Sequence, residues 1–298
     1  MSRKTILHML TPLQHMSPFD VNMALDAGFD AVIPYTDVSL SDVGHLVQDA
    51  IFSRPPDAGV ATGIFLAGKD APLALDMLDA AKKAMVPPFE ISVFADPAGS
   101  FTTAAAMVAK VEKALVKHHD RELNGAAVAV FGATGVVGYC TAVIAASLGA
   151  KVTIVGHDGI ERVTEIAASI QQRFDMNVEP ADGSTEALKT AIVRDTEIVL
   201  AAAKAGVQVL SKAQLGSAGG LLVVADVNAV PPAGIEGLKV NANGEQLDAT
   251  QAVGIGPLSI GNVKYKTQAG LFQKMIEAKK PVAFDFRDAF TLARDLAK

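Results

Sequence analysis

A single cysteine, Cys140, stands among 298 residues. One thiol excludes an intrachain disulfide and any cysteine-rich zinc site, and it fits a reducing cytoplasm. Charge is scarce as well: 19% of residues are charged against 50% hydrophobic, and the net charge is −6. No run of five or six basic residues occurs, which argues against nucleic acid as a partner. None of the marks of disorder is present. The length suits one large domain or two ordinary ones. The opening MSRKTILHML lacks the long apolar segment and small-residue cleavage site of a secretory signal.

Residues 123–150 contain no charged side chain, a run long enough to suggest a membrane span. Five glycines interrupt it, however, from Gly125 to Gly149. It reads as a buried strand, a tight turn and a buried helix, with no membrane segment implied.

Apolar runs alternate with helical patterns along the whole chain. KTILHML, AVIPY, ATGIFLAG and EISVFAD read as strands, and the stretches after Ser17, Leu40 and Asp70 as helices. That alternation favours a mostly parallel sheet covered by helices on both faces. DPAGSFTTAAAMVAKVEKAL follows as a turn and a long helix, with Ser100 or Thr102 as its N-cap. HHDRELNG is the first hydrophilic connector and marks a crossing into a second domain, so His118 and His119 read as a solvated loop pair. AAVAVFG, KVTIVG, TEIVLAA and LLVVAD then supply a second sheet. Beyond GIGPLSIG, taken as a glycine-rich loop, NVKYKTQAGLFQKMIEAKK and FDFRDAFTLARDLAK read as final helices.

Within VAVFGATGVVG the glycines fall as G-x-x-G-x-x-G: Gly132, Gly135 and Gly138. The loop leaves a strand and enters a helix, the placement a dinucleotide needs. Backbone without Cβ lets pyrophosphate approach, and the helix N-terminus offers free N–H groups. Thr134, Val136 and Val137 lie in the same segment. About twenty residues on, IVGHDG ends the next strand, and Asp158 can accept hydrogen bonds from an adenosine ribose. The acid favours NAD. No arginine follows the strand directly, but Arg162 lies one helical turn beyond His157 and Asp158, which leaves NADP open.

Several chemistries are excluded. Tyr35, Tyr139 and Tyr265 are followed four places on by Ser39, Val143 and Ala269, so the Tyr-x-x-x-Lys pair of short-chain dehydrogenases is missing. No H-E-x-x-H occurs, the histidines lack ligand spacing, and no metal site is expected. Without an evident base, hydride removal from a carbon flanked by two nitrogens is favoured over alcohol oxidation. Asn228, after LLVVAD, has an amide suited to a nicotinamide carboxamide or substrate, or to a turn in NAVPP. The hydroxyls of Ser100 and Thr102 can cap the long helix or face a substrate.

Four spaced motifs (the glycine loop, residues 96–106, 225–237 and 254–266) together resemble NAD(P)-dependent methylene-tetrahydromethanopterin dehydrogenase of methylotrophic bacteria. Residues 6–30 and 33–54 are similar to that family's N-terminal pterin domain, and the resemblance runs nearly end to end. It implies an α/β protein of two α/β domains. Residues 1–122 would form a substrate domain, 123–256 a Rossmann-like NAD(P)-binding domain, and 257–298 helices packing back on the first. The substrate would be a pterin carrying a methylene bridge, oxidised to the methenyl cation between formaldehyde and formate. The family pattern places Phe19 and Asp20 at the pterin and gives a functional lysine that matches Lys264, with Lys266 two residues on. Relatives imply a homo-oligomer, a trimer. Ala133 and the His157–Asp158 pair depart from the strictly NADP-dependent branch. Methylene-tetrahydrofolate oxidation and a non-catalytic NAD(H) sensor are the competing readings.

Overall fold

The computed structural model describes residues 3–248 and 250–297. Along the chain, β1 (Ile6–Leu10), α1 (Pro18–Asp26), β2 (Ala31–Tyr35), α2 (Leu40–Phe52), β3 (Thr62–Leu66), α3 (Ala71–Ala84) and β4 (Ser92–Ala95) alternate strictly. Caps set the helix starts. Asp70 accepts a 2.7 Å hydrogen bond from the Leu73 N–H at α3. Ser39 and Asp42 form a reciprocal capping box at α2.

The long helix α4 (Ser100–His119) starts differently from the expectation. The buried carboxylate of Asp96, not Ser100 or Thr102, accepts from the N–H groups of Phe101 and Thr102 at 2.9 and 3.1 Å. Thr102 adds its hydroxyl proton to the same carboxylate at 2.7 Å. His118 and His119 close the last turn of α4 and are not loop residues.

Next come β5 (Ala127–Phe131), α5 (Val136–Ser147), β6 (Lys151–Gly156), α6 (Glu161–Phe174), β7 (Glu179–Asp182), α7 (Glu186–Arg194), β8 (Ile198–Ala201), α8 (Lys212–Gly216), β9 (Val223–Asp226), β10 (Asn243–Gln246) and β11 (Val253–Ile255). The chain ends with α9 (Pro257–Glu277), β12 (Ala283–Phe284) and α10 (Phe286–Leu296). Helix α9 thus begins within GIGPLSIG, which had read as a loop. Proline is compatible with a first helical position, and the glycine at 261 is simply carried in the helix. The charge-free stretch 123–150 holds β5, its turn and α5, and among the described residues no helix is long and apolar enough to cross a membrane.

Two compact units result. One runs to Thr102 and takes in Tyr265–Leu292; the other holds Thr103–Lys264 and the chain from Ala293. The division falls inside α4, α9 and α10, not in the hydrophilic connector, because helices carry the chain from unit to unit. In the first unit all five strands are parallel, in the order β12-β4-β3-β1-β2. The second has the order β10-β11-β9-β8-β5-β6-β7, parallel except for the antiparallel β10.

The first unit's core is closed by a helix that lies some two hundred residues away in sequence. Phe272 of α9 is fully buried, with its ring centroid 5.3 Å from those of Phe65 on β3 and Phe94 on β4. Truncating Phe272 to alanine removes the shared member of this cluster. Phe272→Ala is expected to cost about 3–5 kcal/mol, read as a lowered urea midpoint; a loss below about 1 kcal/mol would mean the cluster collapses around the gap.

Candidate active site

Strand order in the second sheet reverses between β5 and β8, and ligands of such sheets bind at the carboxyl ends beside that switch. Registers level those ends: Phe131 lies opposite Val155 and Ala201, and Ala201 opposite Asp226. A cavity of about 560 Å³ opens there, with Gly132, Thr134, Gly135, His157, Arg162 and Lys204 in its lining.

The three glycines are not equivalent. Gly132 adopts φ +86°, and a Cβ there would lie 2.5 Å from the Ala202 carbonyl oxygen. A Cβ on Gly138 would come within 2.3 Å of the Gly132 oxygen, so this residue serves the packing of α5 against its own loop. Gly135 differs. It is the N-cap of α5 and lines the cavity, and an added Cβ would stand 3.4 Å from the Gly132 carbonyl oxygen, an ordinary contact. Gly135, as the N-cap, has no side chain with which to cap this helix start. Val136 and Val137 open the helix, so their N–H groups belong to the set that a phosphate can satisfy. The site therefore fits a pyrophosphate: glycine backbone lines the cavity where α5 begins.

At the end of β6, Asp158 is hydrogen-bonded to Arg162, Nη1 to Oδ2, at 3.0 Å. His157 Nδ1 lies 3.6 Å from the other carboxylate oxygen. The arginine's hydrogen bond is the main cause holding the Asp158 carboxyl below the usual range. Lys204, which the sequence reading missed, reaches the cavity from the end of β8. Only the pairing of β8 with β5 identifies it.

Asn228 is engaged within its own turn. Its side chain is buried; Oδ1 accepts from the N–H groups of Gly206 and Val230 at 3.2 and 2.9 Å, and Nδ2 donates to the Pro232 carbonyl at 2.8 Å. With these contacts the amide holds the turn, the other reading of NAVPP. Beside it the buried Asp226 accepts from the N–H groups of Asn228, Gly234 and Ile235. Burial pushes its carboxyl up, opposed by those three donors.

In the first unit, Asp20 sits in the first turn of α1, behind Pro18, and is only 1% exposed. Gln268 of α9 donates to its Oδ1 at 2.8 Å. Such burial exceeds what a dipole-complementing surface acid would show. Phe19 beside it is 48% exposed. Gln268 and its neighbour Thr267 were overlooked in the sequence. Both are fully buried, on the same stripe as Val263, Leu271 and Met275. Two polar residues interrupting an apolar helical stripe were the available signal. Lys264 precedes Gln268 by four residues on α9 and is partly buried, whereas Lys266 is exposed. Ser100 is buried at the start of α4, and the hydroxyl proton of Thr102 is committed to Asp96, which leaves Thr102 serving the helix start.

Two comparisons decide the family. The family described as methylene-tetrahydromethanopterin dehydrogenase, N-terminal, matches residues 18–98. Over 294 residues, 99% of this chain and 99% of the relative, 56% are identical to the NAD(P)-dependent methylenetetrahydromethanopterin dehydrogenase of Methylorubrum extorquens. The chain belongs to this family. Similar folds extend further. Shikimate 5-dehydrogenase of Listeria monocytogenes, in complex with shikimate and NAD, matches at TM-score 0.50 with 12% identity, covering 98% of this chain and 96% of that one. Ornithine carbamoyltransferase of Pyrococcus furiosus matches at 0.53 with 12% identity, over 90% and 83%. A dehydrogenase and a transferase share the architecture, so the fold alone does not select the reaction.

The glycine geometry separates binding from folding. Gly135→Ala is expected to keep the melting temperature within a few degrees and to weaken NADH by about ten- to a hundredfold, measured by fluorescence titration. Gly138→Ala should instead destabilise the fold by about 1–3 kcal/mol. Unchanged NADH affinity in folded Gly135→Ala would remove the loop from the nucleotide site.

Proposed function

We propose that this chain oxidises methylene-tetrahydromethanopterin to methenyl-tetrahydromethanopterin with NAD or NADP, within one-carbon metabolism from formaldehyde. The observation that carries the reading is 56% identity, essentially end to end, with a dehydrogenase of that name. The same reading makes the protein a cytoplasmic homo-oligomer, a trimer as the family resemblance implies.

When bound, a dinucleotide would supply the hydride acceptor. The glycine loop and the first turn of α5 would hold its pyrophosphate, and the residues at the end of β6 would meet its ribose. The donor carbon lies between two nitrogens whose lone pairs stabilise the cation left behind, so no base is required. What the protein contributes is placement and charge. Asp20 carries a carboxylate whose orientation Gln268 fixes. We assign it to stabilise positive charge developing on the pterin, an effect that burial strengthens. Phe19, exposed next to it, offers a ring to the flat pterin. Lys264 is assigned to the pterin carbonyl in preference to Lys266, since it is the partly buried member of the pair.

Initial rates with methylene-tetrahydromethanopterin and methylene-tetrahydrofolate, each with NAD and NADP, test the function directly. Turnover of the methanopterin substrate is expected to dominate; nucleotide binding without turnover of either pterin would leave a sensor instead. Deuterium placed on the methylene carbon should appear quantitatively at C4 of the reduced nucleotide, and its loss to solvent would sink a baseless mechanism.

Asp20→Ala should lower kcat by roughly 10- to 1000-fold with nucleotide affinity retained. A normal kcat in that variant would take Asp20 out of the chemistry.

A further inference from the structure

An acid at the end of the second strand of a dinucleotide fold accepts hydrogen bonds from the free ribose hydroxyls of NAD, whereas an arginine nearby receives the 2′-phosphate of NADP. This chain has both, and they are bonded to each other. Arg162 Nη1 lies 3.0 Å from Asp158 Oδ2, with the arginine side chain 56% and the aspartate 42% exposed. An ion pair this exposed contributes little and is readily exchanged for another partner. Arg162 also lines the nucleotide cavity, as do His157 and, from the loop after β7, Ser184. Asp158 stands before the helix, behind Gly159 at φ +118°, a position around which a Cβ would meet no atom within 4 Å. The turn itself is tight on its inner side, where a Cβ on Gly156 would lie 1.9 Å from the Gly159 carbonyl oxygen, and open at Gly159.

Resting on the assignment of this cavity to the dinucleotide, we propose that the Asp158–Arg162 pair is a partner-exchange device that lets one site take both cofactors. With NAD, Arg162 stays on Asp158 and neutralises it in part, while the carboxylate's remaining acceptor positions take the ribose hydroxyls. With NADP, a phosphate bearing about −1.5 to −2 charges repels Asp158 and draws the guanidinium away from it. Arg162 then binds the phosphate in the bidentate manner its fork allows. His157 and Ser184 stand at the same mouth as further donors. A site carrying only the acid would reject NADP, and one carrying only the arginine would lose the ribose contact to NAD.

The test is the dissociation constant of NADH and of NADPH, from nucleotide fluorescence, in Asp158→Ala, Arg162→Ala and the double variant. Arg162→Ala should raise the NADPH constant at least tenfold more than the NADH constant. Asp158→Ala should shift the ratio at least tenfold the other way and tighten NADPH outright, because its arginine is released. In the Arg162→Ala background the same aspartate change should improve NADPH by several-fold less, which is the mark of exchange. Ratios within threefold of the parent protein, shifts in one direction for both variants, or an equal aspartate effect in both backgrounds would overturn the proposal. Gly135→Ala separates the two levels. If it weakens both nucleotides while the ratios stand still, exchange alone fails; if it weakens neither, the cavity is not the nucleotide site.

Discussion

The carbonyl of Gly132 is approached so closely by α5 that a methyl group on Gly138 would sit 2.3 Å from it. Gly132 in turn lies against Ala202, at the end of β8. Strand, loop and helix therefore meet through bare backbone, and no side chain separates them. From this contact follow the position of the α5 N-terminus, the place of Gly135 at its cap and the mouth of the cavity between β5 and β8. A helix displaced by one methyl group would turn its first N–H groups elsewhere. The mouth of the cavity is thus a consequence of packing, and two of the three glycines serve that packing while the third lines the cavity.

The other unit shows the complementary strategy. Its sheet is built locally, strand after helix, but its core and its buried acid wait for α9. Phe272 closes the aromatic cluster on β3 and β4, and Gln268, one turn earlier, holds Asp20. The same helix that stabilises the unit through its apolar stripe supplies the donor that orients a carboxylate. Burying an acid is costly unless it is hydrogen-bonded, and the glutamine meets part of that cost from within the core. Stability and the placement of the acid are therefore coupled here, in contrast to the pair at Asp158 and Arg162, whose side chains are both exposed.

Much of this was legible in the residues. Periodicity marked β1 to β4, β5, β6, β8 and β9 because each is a run of apolar residues bounded by turn formers. The glycine loop could be recognised because its flanks are a strand and a helix, and Asp158 because the next strand ends beside it. Short, polar or single-face elements escaped: β7 is EPAD, β10 is NGEQ, and neither carries an apolar pattern. The starts of α4 and α9 were misplaced for a related reason. Asp96 reaches its helix from across a turn whose residues Ala98 and Gly99 have positive φ, and Pro257 begins a helix inside a stretch whose glycines suggest a loop.

Local chemistry determined that this chain alternates strands and helices, that a glycine-rich strand-to-helix loop lies at its middle, and that an intrachain disulfide and a cysteine-rich zinc site are excluded. Those conclusions rest on periodicity, on backbone freedom at glycine and on residue type, all of which act within a few neighbours. Only the tertiary structure decided that Asn228 holds a turn, that Lys204 lines the cavity, that Gln268 reaches Asp20 and that Asp158 is already partnered. Each depends on which strand lies beside which and on which side chain meets which backbone group, and those pairings are set by long-range packing that no short window of sequence contains.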